Sequence, residues 1–113
     1  MELNKETEIK IQEIQILEQN LHNLLMQKQA FQFELNETLN AIQEVSNTND
    51  EIYKTVGSVI IKSDKKKVIK DLEDKKKVAE LRISSVEKQE DIIESKLGEL
   101  RQETKKLMQK KEK

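Results

Sequence analysis

The chain has 113 residues, of which 38% are charged and only 3% aromatic, with no Pro, Cys or Trp and two glycines, Gly57 and Gly98. That balance argues against a compact aromatic-rich core and for long helices or coiled coil. The net charge of −1, from 21 basic and 22 acidic residues, provides no electrostatic footprint for nucleic acid. So polar a sequence could also be disordered, but its apolar residues are regularly spaced.

The first element is a helix predicted over residues 3 to 46. Heptad position a falls on Thr7, Ile14, Leu21, Lys28, Leu35 and Ile42, and d on Leu3, Lys10, Leu17, Leu24, Phe31, Thr38 and Val45. Nine of these 13 are apolar, which is a coiled-coil seam. It ends in Ser46-Asn47-Thr48-Asn49-Asp50, residues that favour turns and caps over helix interiors. The period then changes. Residues 51 to 62 hold two β-branched runs, Glu51 to Val56 and Val59 to Lys62, around Gly57-Ser58, the pattern of a β-hairpin with a tight turn. A second helix is predicted over residues 65 to 110, capped by Ser63 or Asp64. Its a positions are Ile69, Lys76, Ile83, Glu90, Leu97 and Thr104; its d positions are Leu72, Ala79, Val86, Ile93, Leu100 and Leu107. Gly98 lies off this seam.

Two helices joined by a short excursion should run antiparallel, so facing residues have a constant sum. At a sum of 114, Val45 faces Ile69, Phe31 faces Ile83, Leu21 faces Ile93 and Ile14 faces Leu100. Seven of 12 layers are apolar on both sides. Lys28 opposite Val86 and Glu90 opposite Leu24 break the pattern, and their long stems are expected to carry the charges out to water. Each arm should be about 60 Å long at about 1.5 Å per residue.

An isolated two-stranded hairpin is marginal and leaves its edges unpaired. Here Ile52, Tyr53, Val56, Val59, Ile60 and Ile61 place apolar groups on both strand faces. Pairing with hairpins of other subunits relieves both problems, so residues 51 to 62 are expected to form an oligomer interface. Toward the termini the layers become Lys10/Thr104 and Thr7/Leu107, so packing should loosen there. Apolar residues at that end, Leu3, Ile9, Ile11, Leu107 and Met108, are candidates for contact with a partner's apolar surface.

The remaining features read blandly. His22 is the only His and no Cys is present, so no zinc site is expected. No acid–base pair, phosphate loop or enclosed pocket stands out, which predicts no enzyme and no cofactor. Lys65-Lys66-Lys67 and Lys75-Lys76-Lys77 read as solvated faces. Nothing resembles a signal peptide or a membrane span, so a cytoplasmic protein without membrane contact is expected.

Glu51-Ile52-Tyr53-Lys54-Thr55-Val56-Gly57 leading into Val59-Ile60-Ile61-Lys62, between two such helices, resembles the β-type subunit of prefoldin. Gln27-Lys28-Gln29 with Glu34 to Thr38 resembles the family's first helix. Leu81-Arg82-Ile83, Val86 to Glu90 and Lys96 to Leu100 resemble its second. The resemblance spans nearly the whole chain, as one domain of residues 1 to 113. It implies a hexamer of two α-type subunits and four β-type copies, whose hairpins form a double β-barrel with coiled coils hanging from it. It implies an archaeal source, although eukaryotes carry several β-type subunits. It also implies ATP-independent capture of unfolded client proteins by the coiled-coil tips, and delivery to a group II chaperonin. By position, Ile52, Tyr53, Val56, Val59 and Ile61 would assemble the barrel, and Leu3, Ile9, Ile11, Leu107 and Met108 would touch clients. The basic end, Lys105 to Lys113, departs from the family pattern. The alternative, from another class, is a coiled-coil scaffold with a fixed partner.

Overall fold

The computed structural model describes residues 4–111. Four elements follow in chain order: α1 Lys5–Asn47, β1 Ile52–Val56, β2 Val59–Ser63 and α2 Lys65–Lys111. Asn4 starts α1. Its Oδ1 accepts the Thr7 backbone N–H at 2.8 Å and the Thr7 hydroxyl at 2.7 Å, while its carbonyl accepts the Glu8 N–H at 3.1 Å. This is an N-cap, and Glu6 and Glu8 in the first turn suit the positive end of the helix dipole. The helix stops where Thr48 turns its hydroxyl to the Asp50 N–H, at 3.2 Å.

β1 and β2 pair antiparallel, from Ile52 opposite Ser63 to Val56 opposite Val59. The two-residue turn needs Gly57, at φ +59°, while Ser58 keeps a negative φ. Those signs belong to a type II′ turn, which matches the twist of the strands. Ser63 therefore lies in the strand, and Asp64 is the residue that precedes α2, its carbonyl accepting the Val68 N–H at 3.0 Å.

The chain divides into two compact units, Met1–Lys28 with Ser85–Lys113, and Gln29–Ser84. In the first, the terminal unit, Leu24, Val86, Leu97 and Leu100 are buried, together with Thr7 and Thr104. Cross-helix pairs have residue numbers adding to 113 for Lys10 with Glu103, 118 for Lys28 with Glu90 and 119 for Glu18 with Arg101. They run antiparallel and lie within about a turn and a half of the 114 register. In the second, the hairpin unit, Ala79 and Thr38 are buried. Thr38 satisfies its own hydroxyl by donating to the Glu34 carbonyl at 2.8 Å. Arg82 lies over the Phe31 ring, 5.6 Å from its centroid, and 3.8 Å from Glu34.

Three expectations change. Packing does not loosen toward the termini, since Thr7 is 1% exposed and Thr104 8%. Threonine is short, so two helices cover it readily; the cost appears instead as polarity, because the Thr104 hydroxyl has no partner among the described residues. Lys28 and Glu90 do not carry their charges separately to water. They meet at 2.8 Å, with side chains 21% and 12% exposed, and the hydrogen bond to Glu90 holds the Lys28 ammonium above its ordinary pKa. Lys65 is not a solvated charge either. Its ammonium donates to the Ser46 and Thr48 carbonyls, each at 3.0 Å. The last turn of α1 contains no basic residue of its own, so Lys65 supplies the cation that the negative end of the dipole favours.

Candidate interaction surfaces

Strand alternation sorts the hairpin into two faces. Ile52, Lys54 and Val56 lie opposite Ser63, Ile61 and Val59 on one; Tyr53 and Thr55 lie opposite Lys62 and Ile60 on the other. Both are open. Ile60 is 69% exposed and Tyr53 58%, and Val56, Val59 and Ile61 are also exposed, while Ile52 is half-buried. Water gains nothing from so many β-branched groups on a two-stranded ribbon, which points to a surface made to be covered.

Its polar groups are organised. Glu51 accepts the Tyr53 hydroxyl at 2.7 Å and the Lys62 ammonium at 3.0 Å. The Tyr53 hydrogen bond, aided by Lys62, holds the Glu51 carboxyl below its ordinary range, and the same bond pushes the Tyr53 phenol up. On the other face Lys54 stands 3.6 Å from Asp71 of α2.

In the terminal unit, Ile9 and Met108 are exposed, as is Ile16, whereas Ile11 and Leu107 are half-buried along the seam. Leu3 lies outside the described residues. Met108 shares a shallow groove of 450 Å³ with Ile14, Arg101, Thr104, Lys105 and Gln109, whereas Leu107 lines a separate one with Glu6, Lys10, Glu103 and Lys106. Phe33, Leu81 and Ile92, none of them among the candidate residues, are each more than two-thirds exposed. Their off-seam heptad positions were the available signal. No cluster of three His, Cys, Asp or Glu residues able to hold a metal occurs among the described residues. No described helix is long and apolar enough to cross a membrane.

A profile of the prefoldin subunit family matches residues 8–111, nearly the full described chain. The chain belongs to the prefoldin family. The prefoldin β subunit of Thermococcus onnurineus strain NA1 is 39% identical over 87 residues, covering 75% of each chain. That of Pyrococcus furiosus is 36% identical over 92 residues, 80% of this chain and 79% of its own. The crystal structure of the prefoldin β subunit from Thermococcus strain KS-1 superposes with a TM-score of 0.88 at 29% identity, over 93% of this chain and 94% of that one. Two long helices with a two-stranded antiparallel hairpin between them are thus the prefoldin β fold.

Proposed function

We propose that this chain is a β-type prefoldin subunit that works as an ATP-independent holdase. In this reading the hairpin residues Ile52, Tyr53, Val56, Val59, Ile60 and Ile61 join α-type subunits and further β copies into a hexamer, closing a shared barrel. The terminal residues Leu3, Ile9, Ile11, Leu107 and Met108 hold non-native proteins and release them to a group II chaperonin in the cytoplasm. The observation that carries it is the uncovered apolar hairpin, open on both faces, in a chain of the prefoldin family.

The test is assembly followed by capture. Native mass of this chain mixed with an α-type prefoldin subunit should give a hexamer. That complex, in stoichiometric amounts, should suppress aggregation of several unrelated denatured proteins without ATP. A stable complex that protects none of them would instead favour the scaffold reading.

A further inference from the structure

Away from the seam the two helices are unlike. Of the 47 residues of α2, 25 are charged; of the 43 residues of α1, ten are. From Ile14 to Phe33 only Glu18 and Lys28 carry charge, and α2 takes up both, through Arg101 at 3.2 Å and Glu90 at 2.8 Å. The outer face of α1 is therefore free of charge over that span. Its ridge is formed by heptad positions c and f, two and five residues after each a and on the side away from the seam. Eight consecutive c and f positions, from Ile9 to Phe33, hold no charged residue, and all eight are exposed. Ile9, Ile16, Met26 and Phe33 stand on this ridge at 48% to 67% exposure. The other four positions hold Ala30 and three amides. A helix surface normally carries its charges on the face turned to water. The ridge of α2 does so: any eight consecutive c and f positions from Lys67 to Lys106 include at least two charges.

The spacing of three and four residues continues along a ridge about 36 Å long, at about 1.5 Å per residue. Another helix fits such a ridge, provided that it too brings no charge, because a charge buried there would lose water without gaining a partner. A second copy's α2 fails that condition, and its α1 meets it. Laid parallel, each ridge residue meets its own counterpart. Laid antiparallel at a sum of 42, Ile9 meets Phe33, Ile16 meets Met26, Gln12 meets Ala30 and Gln19 meets Asn23. Gln19 already donates to Asn23 within the chain, at 3.2 Å, so two such amide pairs meet at the centre. A heptad shift spoils the match. At 35 Ala30 meets Lys5 and Ile16 meets Gln19; at 49 Gln12 meets Glu37 and Ile9 meets Asn40.

We propose that the outer ridge of α1, from Ile9 to Phe33, is a docking surface for the same ridge of a second copy of this chain. The contact is isologous, so it closes at two copies. This goes beyond the holdase reading and does not rest on it.

The test first removes the other candidate interface. In the full chain carrying Val59→Lys and Ile60→Lys, sedimentation velocity should show monomer passing to dimer as concentration rises. Adding Ile16→Glu and Met26→Glu, neither of them a candidate client residue, should weaken that dimer at least about tenfold with helicity unchanged. The chain has no cysteine, so introduced ones report the contact cleanly. Oxidation of Ile16→Cys alone reads the parallel arrangement, and Ile16→Cys copies mixed with Met26→Cys copies read the antiparallel one. Lys88→Cys, at an f position of α2, is the reference. One of the two ridge products should exceed the Lys88→Cys product by about tenfold. The cross-links are repeated with the native hairpin, so the comparison stands even if the lysine background does not fold. A chain that stays monomeric, association that survives Ile16→Glu with Met26→Glu, or ridge cross-linking no better than at Lys88 overturns the proposal. A monomeric chain whose hexamer loses client protection through Ile16→Glu with Met26→Glu would also overturn it, and would assign the ridge to clients.

Discussion

Gly57 and Gly98 are chemically identical and do opposite things. At Gly57 φ is +59°, and nothing stands within 4 Å of an added Cβ; the obstacle to a side chain is the backbone conformation itself, worth roughly 1–2 kcal/mol. Gly57→Ala should therefore destabilise by about that amount. Gly98 sits inside α2 at ordinary helical angles, again with open space around an added Cβ. Gly98→Ala should stabilise by about 1 kcal/mol, and thermal melts should move in opposite directions for the two variants. Glu51 supplies a pH test. Its carboxyl is held below the ordinary value of 4.5, so its contribution is complete above that value and lost as pH falls through the folded pKa. Tyr53→Phe removes the leading donor. The Glu51 carboxyl resonance should then titrate at higher pH, nearer its ordinary value; an unmoved midpoint would show that the hydrogen bond is not made in solution.

Among elements, the two helices and the hairpin were legible because each announces its period. Every a and d position from Thr7 to Leu107 within the two helices is shielded from solvent, including the polar ones. The switch to β-branched residues at Ile52 and the Gly57-Ser58 turn marked the insertion as clearly. What escaped was contact between layers. Lys28 and Glu90 are matched only on a diagonal, so a layer-by-layer reading sees two separate defects. Lys65 escaped because its partners are backbone carbonyls at the end of another helix, which no side-chain pattern encodes. Lys65→Met keeps most of the apolar stem and removes the ammonium. Amides of residues 44 to 48 should then exchange several-fold faster, with the seam of the terminal unit unaffected.

At the scale of the whole molecule, the proposed assembly depends on the hairpin remaining apolar. Val59→Lys with Ile60→Lys adds charge on both of its faces. It should prevent hexamer formation in a native mass measurement while circular dichroism stays that of two intact helices. Normal assembly by this variant would remove the hairpin from the interface. Among the candidate client residues, Ile11 and Leu107 are half-buried while Ile9 and Met108 are exposed, a division that only the packed chain reveals.

The Lys65 contact has a consequence for the order in which the chain acquires its structure. The first turn of α2 contains no acidic residue and opens with Lys65, Lys66 and Lys67, cations at the helix end that repels them. Alone, that turn is a poor starting point. It becomes favourable only after the carbonyls at the end of α1 exist to receive the Lys65 ammonium. The beginning of α2 is thus conditional on the completion of α1, so the second helix should nucleate further along its length and reach its own start last.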